Sequence, residues 1–240
     1  MPDAPLSHYL PVGRFERLLE TRTLWLRGLG KAASHGDLRE ADMDPAQRRF
    51  QVGQICDASL ELKGTFCHCW TMGTDDKAFF WGAPYFPKGM EGRGVCICST
   101  AEALEESVRP APFVQTELKI VRCLYEDRAA SPGGVLPLRQ VTGTGDLDLP
   151  YSFVKDMPYA PEEEVRLVAK TVTYRGMPIQ ADAAQRVDDG SKLVLTGLPL
   201  PVDLARLIHA VRIGPTVPPR ESAIIRELVQ KQVPEAKWLK

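Results

Sequence analysis

Apolar positions recur along this chain in two rhythms. Val12, Phe15, Leu18 and Leu19 are spaced three and four apart, which predicts a helix over about 12–21. His8-Tyr9-Leu10 before it is a short extended entry, and Thr23 to Leu26 reads as a strand. A polar loop to about Asp37 leads to a weakly patterned helix near 44–62. Thr65 to Thr71 and Val95 to Cys98 predict strands, with a helix at about 75–83 carrying Phe79, Phe80 and Trp81 between them. Ser99-Thr100-Ala101-Glu102 matches a capping box, so a helix is expected over about 100–108.

Leu118 to Tyr125 is a further strand. Residues 127–150 hold Pro132, Gly133, Gly134, Pro137, Gly143, Gly145 and Pro150, the composition of a long irregular loop. A strand over 164–174, a hairpin of that strand with Lys192 to Leu198, and a strand from Ile208 to Ile213 follow. Pro218 and Pro219 open a last helix over about 219–232, with Ile224, Ile225, Leu228 and Val229 inward. The order predicts one α+β domain spanning 1–240, its sheet mixed, largely antiparallel and open to splitting, with helices flanking it.

Between loop and late strand lies the most telling segment, Lys155-Asp156-Met157-Pro158-Tyr159-Ala160-Pro161-Glu162-Glu163-Glu164-Val165-Arg166-Leu167-Val168. If it is extended, Glu162, Glu164 and Arg166 share one face and Val165 and Leu167 the other. Two carboxylates beside a guanidinium are either a solvated charge run or a polar cluster at a cleft. Arg166 is then expected to partner Glu164, or Asp37 and Glu40, more than a ligand. Tyr159 can shelve a ring-bearing ligand, or pack under the 127–150 loop. His8 is as well placed for a surface or capping role as for a functional one, and Asp37 and Glu40 suit a helix start or a site. Trp70, Trp81 and Tyr85 are read as core.

Composition narrows the picture. The 240 residues carry 30 basic and 31 acidic side chains, so nothing in the totals demands nucleic acid or an acidic membrane. No apolar run reaches the roughly 18 residues of a membrane span, and the N-terminal stretch lacks a secretory pattern, so the cytoplasm is the expected compartment. There the six cysteines are expected as thiols. Cys67-His68-Cys69 and Cys96-Ile97-Cys98 read as small buried positions rather than metal ligands, since no second pair has ligand spacing.

With these residues in hand, the chain resembles a bacterial family of uncharacterised proteins, the domain-of-unknown-function 2971 family. The resemblance runs through His8-Tyr9, Asp37-Leu38-Arg39-Glu40, Cys69-Trp70-Thr71, then Trp81, Tyr85, Gly94-Val95-Cys96-Ile97 and Ile213-Gly214-Pro215. Its most specific part is Lys155, Tyr159, Glu162, Glu164, Arg166, Leu167 and Val168. In the order of its motifs the chain is also similar to ADP-ribosyltransferases. That similarity implies an NAD-consuming enzyme that modifies a macromolecule, with a toxin or defence role in keeping. It implies His8 at the adenosine ribose and Thr71 bracing the acid or the nicotinamide ribose. Glu164 would stabilise the oxocarbenium-like charge as nicotinamide leaves, and Glu162 would orient or deprotonate the acceptor. Tyr9, Tyr159 and Arg166 complete the implied NAD-contacting set. Two rivals stand beside this reading. One is a non-enzymatic module binding a nucleotide or protein, the other a metal-dependent nuclease-like hydrolase using Asp37, Glu40, Glu162 and Glu164.

Overall fold

The computed structural model describes residues 3–28, 65–82, 85–109, 116–126, 154–171, 184–186, 193–195 and 197–240. The expected helix near 44–62, Asp37, Glu40, Cys56 and the 127–150 loop lie outside these. Helices accompany a mixed, mostly antiparallel open sheet, so the protein is α+β. Its contacts divide it into two compact units. One holds residues 1–24, 69–110 and 200–240, the other 25–68 and 111–199.

In the first unit, β1 (Pro5–Pro11) pairs antiparallel with β4 (Gly94–Thr100) over its whole length, Tyr9 opposite Cys96 and Ser7 opposite Cys98. Leu6 and Ser7 also pair with Met72 and Thr71, the end of β3 (Thr65–Met72). On the far side of β4 runs β12 (Ala210–Ile213), whose parallel partner is the two-residue β13 (Lys237–Trp238). Alternation gives this sheet two faces. One carries Leu6, Leu10, Val95, Ile97 and Val211, all buried; the helices α1 (Val12–Thr21) and α4 (Pro219–Gln232) pack on each other. The other face carries Cys96, Cys98 and Ala210 under Trp81 and Phe86.

The local signals for α1 hold in detail. Val12, Phe15, Leu18 and Leu19 are its buried residues, and Arg22 ends it in the left-handed region at φ 50°. The helix α2 (Ala101–Ser107) begins one residue later than the capping box predicts. Thr100, rather than Ser99, is the cap and accepts from the Ala103 amide at 3.1 Å. The helix expected over 75–83 is only a 3₁₀ turn, Ala78–Trp81. A single turn suffices to bring Phe80 and Trp81 inside while Phe79 stays 41% exposed. The short α3 (Leu204–Leu207), capped by Asp203, ends with Ile208 as its C-cap, and the strand expected over 208–213 begins only at Ala210. In α4 Ile225 and Val229 are buried, but Ile224 is 46% exposed. The apolar stripe there is narrower than four inward residues require.

The second unit holds β5 (Thr116–Arg122), β6 (Leu124–Glu126), β7 (Val154–Asp156), β8 (Glu164–Thr171), β9 (Ala184–Arg186) and β10 (Leu193–Leu195). The expected strand 118–125 is therefore two strands, interrupted at Cys123. Strand β8 pairs antiparallel with β5 from Val165 opposite Arg122 to Thr171 opposite Thr116. The expected hairpin of this strand with 192–198 is not formed. Residues 193–195 pair with β9 instead, and Gly197–Pro201 forms its own strand, β11. Seven aligned pairs along β5 offer β8 more backbone pairing and cross-strand contact than a three-residue strand could.

Candidate functional site

In the second unit the backbone brings two distant segments to one lysine. The parallel pair β6–β7 puts Tyr125 directly across from Lys155. After β7 the chain makes a 3₁₀ turn, Met157–Glu162, whose prolines 158 and 161 cannot donate the amides a longer helix needs. Glu163 then sits at φ 45°, a left-handed conformation rare for a residue with a side chain, and its amide bonds Ala160 O at 3.1 Å. Only after this reversal does β8 begin, at Glu164.

The result is a buried ionic cluster. Lys155 Nζ donates to Glu162 Oε2 and to Glu164 Oε2, each at 2.7 Å. Arg166 Nε donates to Glu164 Oε1, also at 2.7 Å. Lys155, Glu162, Glu164 and Arg166 are 8%, 8%, 5% and 2% exposed, which excludes a solvated charge run. Strand alternation accounts for Glu164 and Arg166 meeting, and it buries Val165 and Leu167 on the opposite face. It does not account for Glu162, which belongs to the 3₁₀ turn and joins the cluster through Lys155.

Charges held this far from water carry a large desolvation cost, which their mutual attraction offsets only while every partner is present, so losing one partner is far more damaging than losing a surface pair. Burial by itself would push the Lys155 ammonium down. The charge of Glu164 and the hydrogen bonds to Glu162 and Glu164 outweigh it, and the group is held well above the ordinary lysine range. Glu164 is fixed by its backbone too. Its amide donates to the Tyr125 hydroxyl at 2.6 Å, and its carbonyl accepts from Cys123 N at 2.9 Å. Burial raises the Tyr125 phenol to about 12, partly offset by that hydrogen bond. At the edge of the cluster the Tyr159 ring lies 5.0 Å from Lys155 Nζ, the distance of a cation–π contact, and is 43% exposed. Met157 beside it in sequence is 48% exposed.

The remaining expected site residues, His8, Tyr9 and Thr71, belong to the first unit. Its sheet does not gather them. Thr71 pairs with Ser7, so Thr71, Ser7 and Tyr9 lie on one face and His8 on the other. There the His8 ring meets Trp70 at 5.2 Å. Burial lowers His8 to about 4, against a backbone hydrogen bond with Cys69 that favours the charged form. Tyr9 stacks on Phe80 at 4.9 Å and accepts from the Lys77 amide at 3.0 Å; Lys77 Nζ donates to Thr71 Oγ1 at 2.8 Å. Burial pushes the Tyr9 phenol well up. These are the contacts of packed residues.

Cysteines 67, 69, 96, 98 and 123 are free thiols. All are buried except Cys69, which is exposed. It falls between the β2 (Thr23–Gly28) ladder ending at Cys67 and the β1 ladder beginning at Thr71. Cys96 Sγ donates to the Ile97 carbonyl at 3.9 Å and Cys98 Sγ lies 3.6 Å from Ser7 Oγ; interaction between the two thiols raises Cys96 and lowers Cys98. Among the described residues no group of three or more His, Cys, Asp or Glu is arranged to hold a metal ion. Nor is any helix among them long and apolar enough to cross a membrane.

Sequence reasoning placed Glu162, Glu164, Arg166 and Tyr159 at this cluster but assigned no role to Lys155 and overlooked Tyr125. The signal for Lys155 was an isolated cation just before a proline-rich acidic turn. Tyr125 gave none, because the pairing of β6 with β7 that sets it beside Lys155 joins strands separated by 27 residues of sequence. No family model matches the chain, and neither the curated proteins nor the solved structures contain a match.

Proposed function

We propose that the Lys155–Glu162–Glu164–Arg166 cluster, with Tyr159 as its open edge, is the ligand-recognition site of a nucleotide-binding module. One observation carries this reading: both oxygens of Glu164 are engaged by buried cations while an aromatic ring beside them stays exposed. A carboxylate so neutralised is a weak base, and its field on a developing positive charge is largely cancelled. A ring with one face on a lysine and a substantial exposed area suits stacking of a base, which is worth about 1–3 kcal/mol in comparable platforms. The ordered polar groups behind it suit ribose hydroxyls.

A second reading, NAD-consuming ADP-ribosyl transfer to a macromolecular acceptor, draws on the same cluster. Lys155 bridges the two carboxylates at 2.7 Å. A positively charged nicotinamide riboside that displaced its ammonium would face two fixed acids.

One experiment separates the two. The protein is titrated with NAD, ADP-ribose and ATP by calorimetry, and nicotinamide release is followed in parallel with and without cell extract. The expected result is saturable binding, weakened about tenfold or more in Tyr159→Ala, with no nicotinamide released. Release that vanishes in Glu164→Gln would establish the transferase instead. No binding of any of the three at millimolar concentration would overturn the nucleotide reading.

A further inference from the structure

We propose that Tyr125 and Glu163 are positioning residues, which lock Glu164 against the chain so that Glu162 and Glu164 close on the Lys155 ammonium. The proposal deepens the reading of this site as a ligand-recognition centre and rests on it for its functional meaning. Its geometric basis is separate.

The two carboxylates reach Lys155 from different secondary structures, a 3₁₀ turn and a strand. The joint between them is one residue, Glu163, in a left-handed conformation that is costly for a side-chain-bearing residue. Such a conformation persists only where its surroundings over-determine it. Here the surroundings are identifiable. Immediately before the joint, the Glu163 amide is tied to Ala160 O; immediately after it, the Glu164 amide is tied to the Tyr125 hydroxyl at 2.6 Å and the Glu164 carbonyl to Cys123 N. Tyr125 is also the cross-strand partner of Lys155. One side chain therefore registers the backbone of an acid and the strand of the cation it binds. Removing the phenol oxygen leaves the Glu164 amide without that acceptor at the point where the chain is most strained. The carboxylate then gains freedom relative to Lys155, although no charge has been removed.

The test uses full-length protein with lysine isotopically labelled for NMR. At pH about 11 ordinary lysines have largely lost their proton, whereas the wild-type Lys155 ammonium stays protonated. In Tyr125→Phe its titration is expected to fall toward the ordinary lysine range. Glu163→Asn, which tolerates the left-handed conformation, keeps the wild-type titration, and Glu163→Val, which does not, loses it. NAD affinity is expected to follow the same order, with a loss of about fivefold in Tyr125→Phe, the usual worth of one hydrogen bond. A merely structural role for Tyr125 would lower the melting temperature but leave the Lys155 titration where it is, and that result overturns the proposal. If Glu163→Asn and Glu163→Val titrate alike, the left-handed joint has no positioning part and that half falls. Should wild type bind no NAD while the titrations still separate, the ligand reading fails and the positioning stands.

Discussion

The two units bury polar groups by different means. In the first, most are held by backbone. Ser7 Oγ donates to Gly73 O at 2.7 Å, and Arg212 donates from Nε to Lys240 O and from Nη2 to Thr74 O. The acid nearest that guanidinium, Asp76, stands 3.8 Å away and is half exposed. In the second unit charge holds charge, with three ionic hydrogen bonds of 2.7 Å among four buried side chains. A carbonyl loses little when its donor is removed, because it stays neutral. A buried carboxylate stripped of its cation keeps a charge that water cannot reach. The second unit is therefore the more brittle of the two, and its brittleness coincides with the candidate site.

The sharpest way to break this contrast is to delete one cation from each unit. Lys155→Met is expected to cost about 3–5 kcal/mol in urea unfolding, since Glu162 and Glu164 lose the ammonium they share and Arg166 holds one oxygen of Glu164. Arg212→Met is expected to cost less, about 1–3 kcal/mol, the scale of an unsatisfied neutral acceptor, here the Thr74 carbonyl. Equal losses would remove the distinction.

The next largest effect lies in the first unit and depends on pH. His8 has a folded value near 4 against 6.5 when unfolded, so the native state resists taking up a proton that the unfolded chain accepts. Its contribution is fully present above pH 6.5 and is lost as pH falls from 6.5 towards 4. The residue as a whole is only partly buried, so the loss is set at about 2–3 kcal/mol, accumulating at just over 1 kcal/mol per pH unit. Subtracting the stability–pH curve of His8→Gln from that of wild type isolates it. Parallel curves across that window would show that His8 does not sit neutral in the fold.

The smallest effect checks whether ordinary local signals operate as usual. Thr100→Ala removes the cap of α2 and should cost about 1 kcal/mol in thermal unfolding, while Ser99→Ala should cost less. The reverse order would return the cap to the residue that the capping-box pattern indicates.

Local signals were legible where one segment decides its own structure. The spacing of Val12, Phe15, Leu18 and Leu19 is sufficient for α1, because a helix satisfies its own backbone and needs only one apolar stripe. The alternation after Glu164 likewise predicts the Glu164–Arg166 contact, a matter of strand geometry alone. Partner choice was not legible. The expected hairpin with 192–198 failed because β8 had a longer partner in β5, and a strand's own sequence does not name its neighbour. Ile224 shows the same limit within a helix, since the width of the buried stripe is set by what packs against it.

The chain by itself therefore determined the α+β class and the helices α1, α2 and α4, and it marked the acidic stretch as the candidate site. Only the tertiary structure decided that the stretch is buried and neutralised. Lys155, Tyr125 and the left-handed Glu163 act on Glu162 and Glu164 through a parallel strand pair and a backbone reversal, neither of which leaves a periodic mark in sequence. Tertiary structure also set His8 and Thr71 on opposite faces of one sheet, which follows from the register of β1 with β3 and not from either residue's identity.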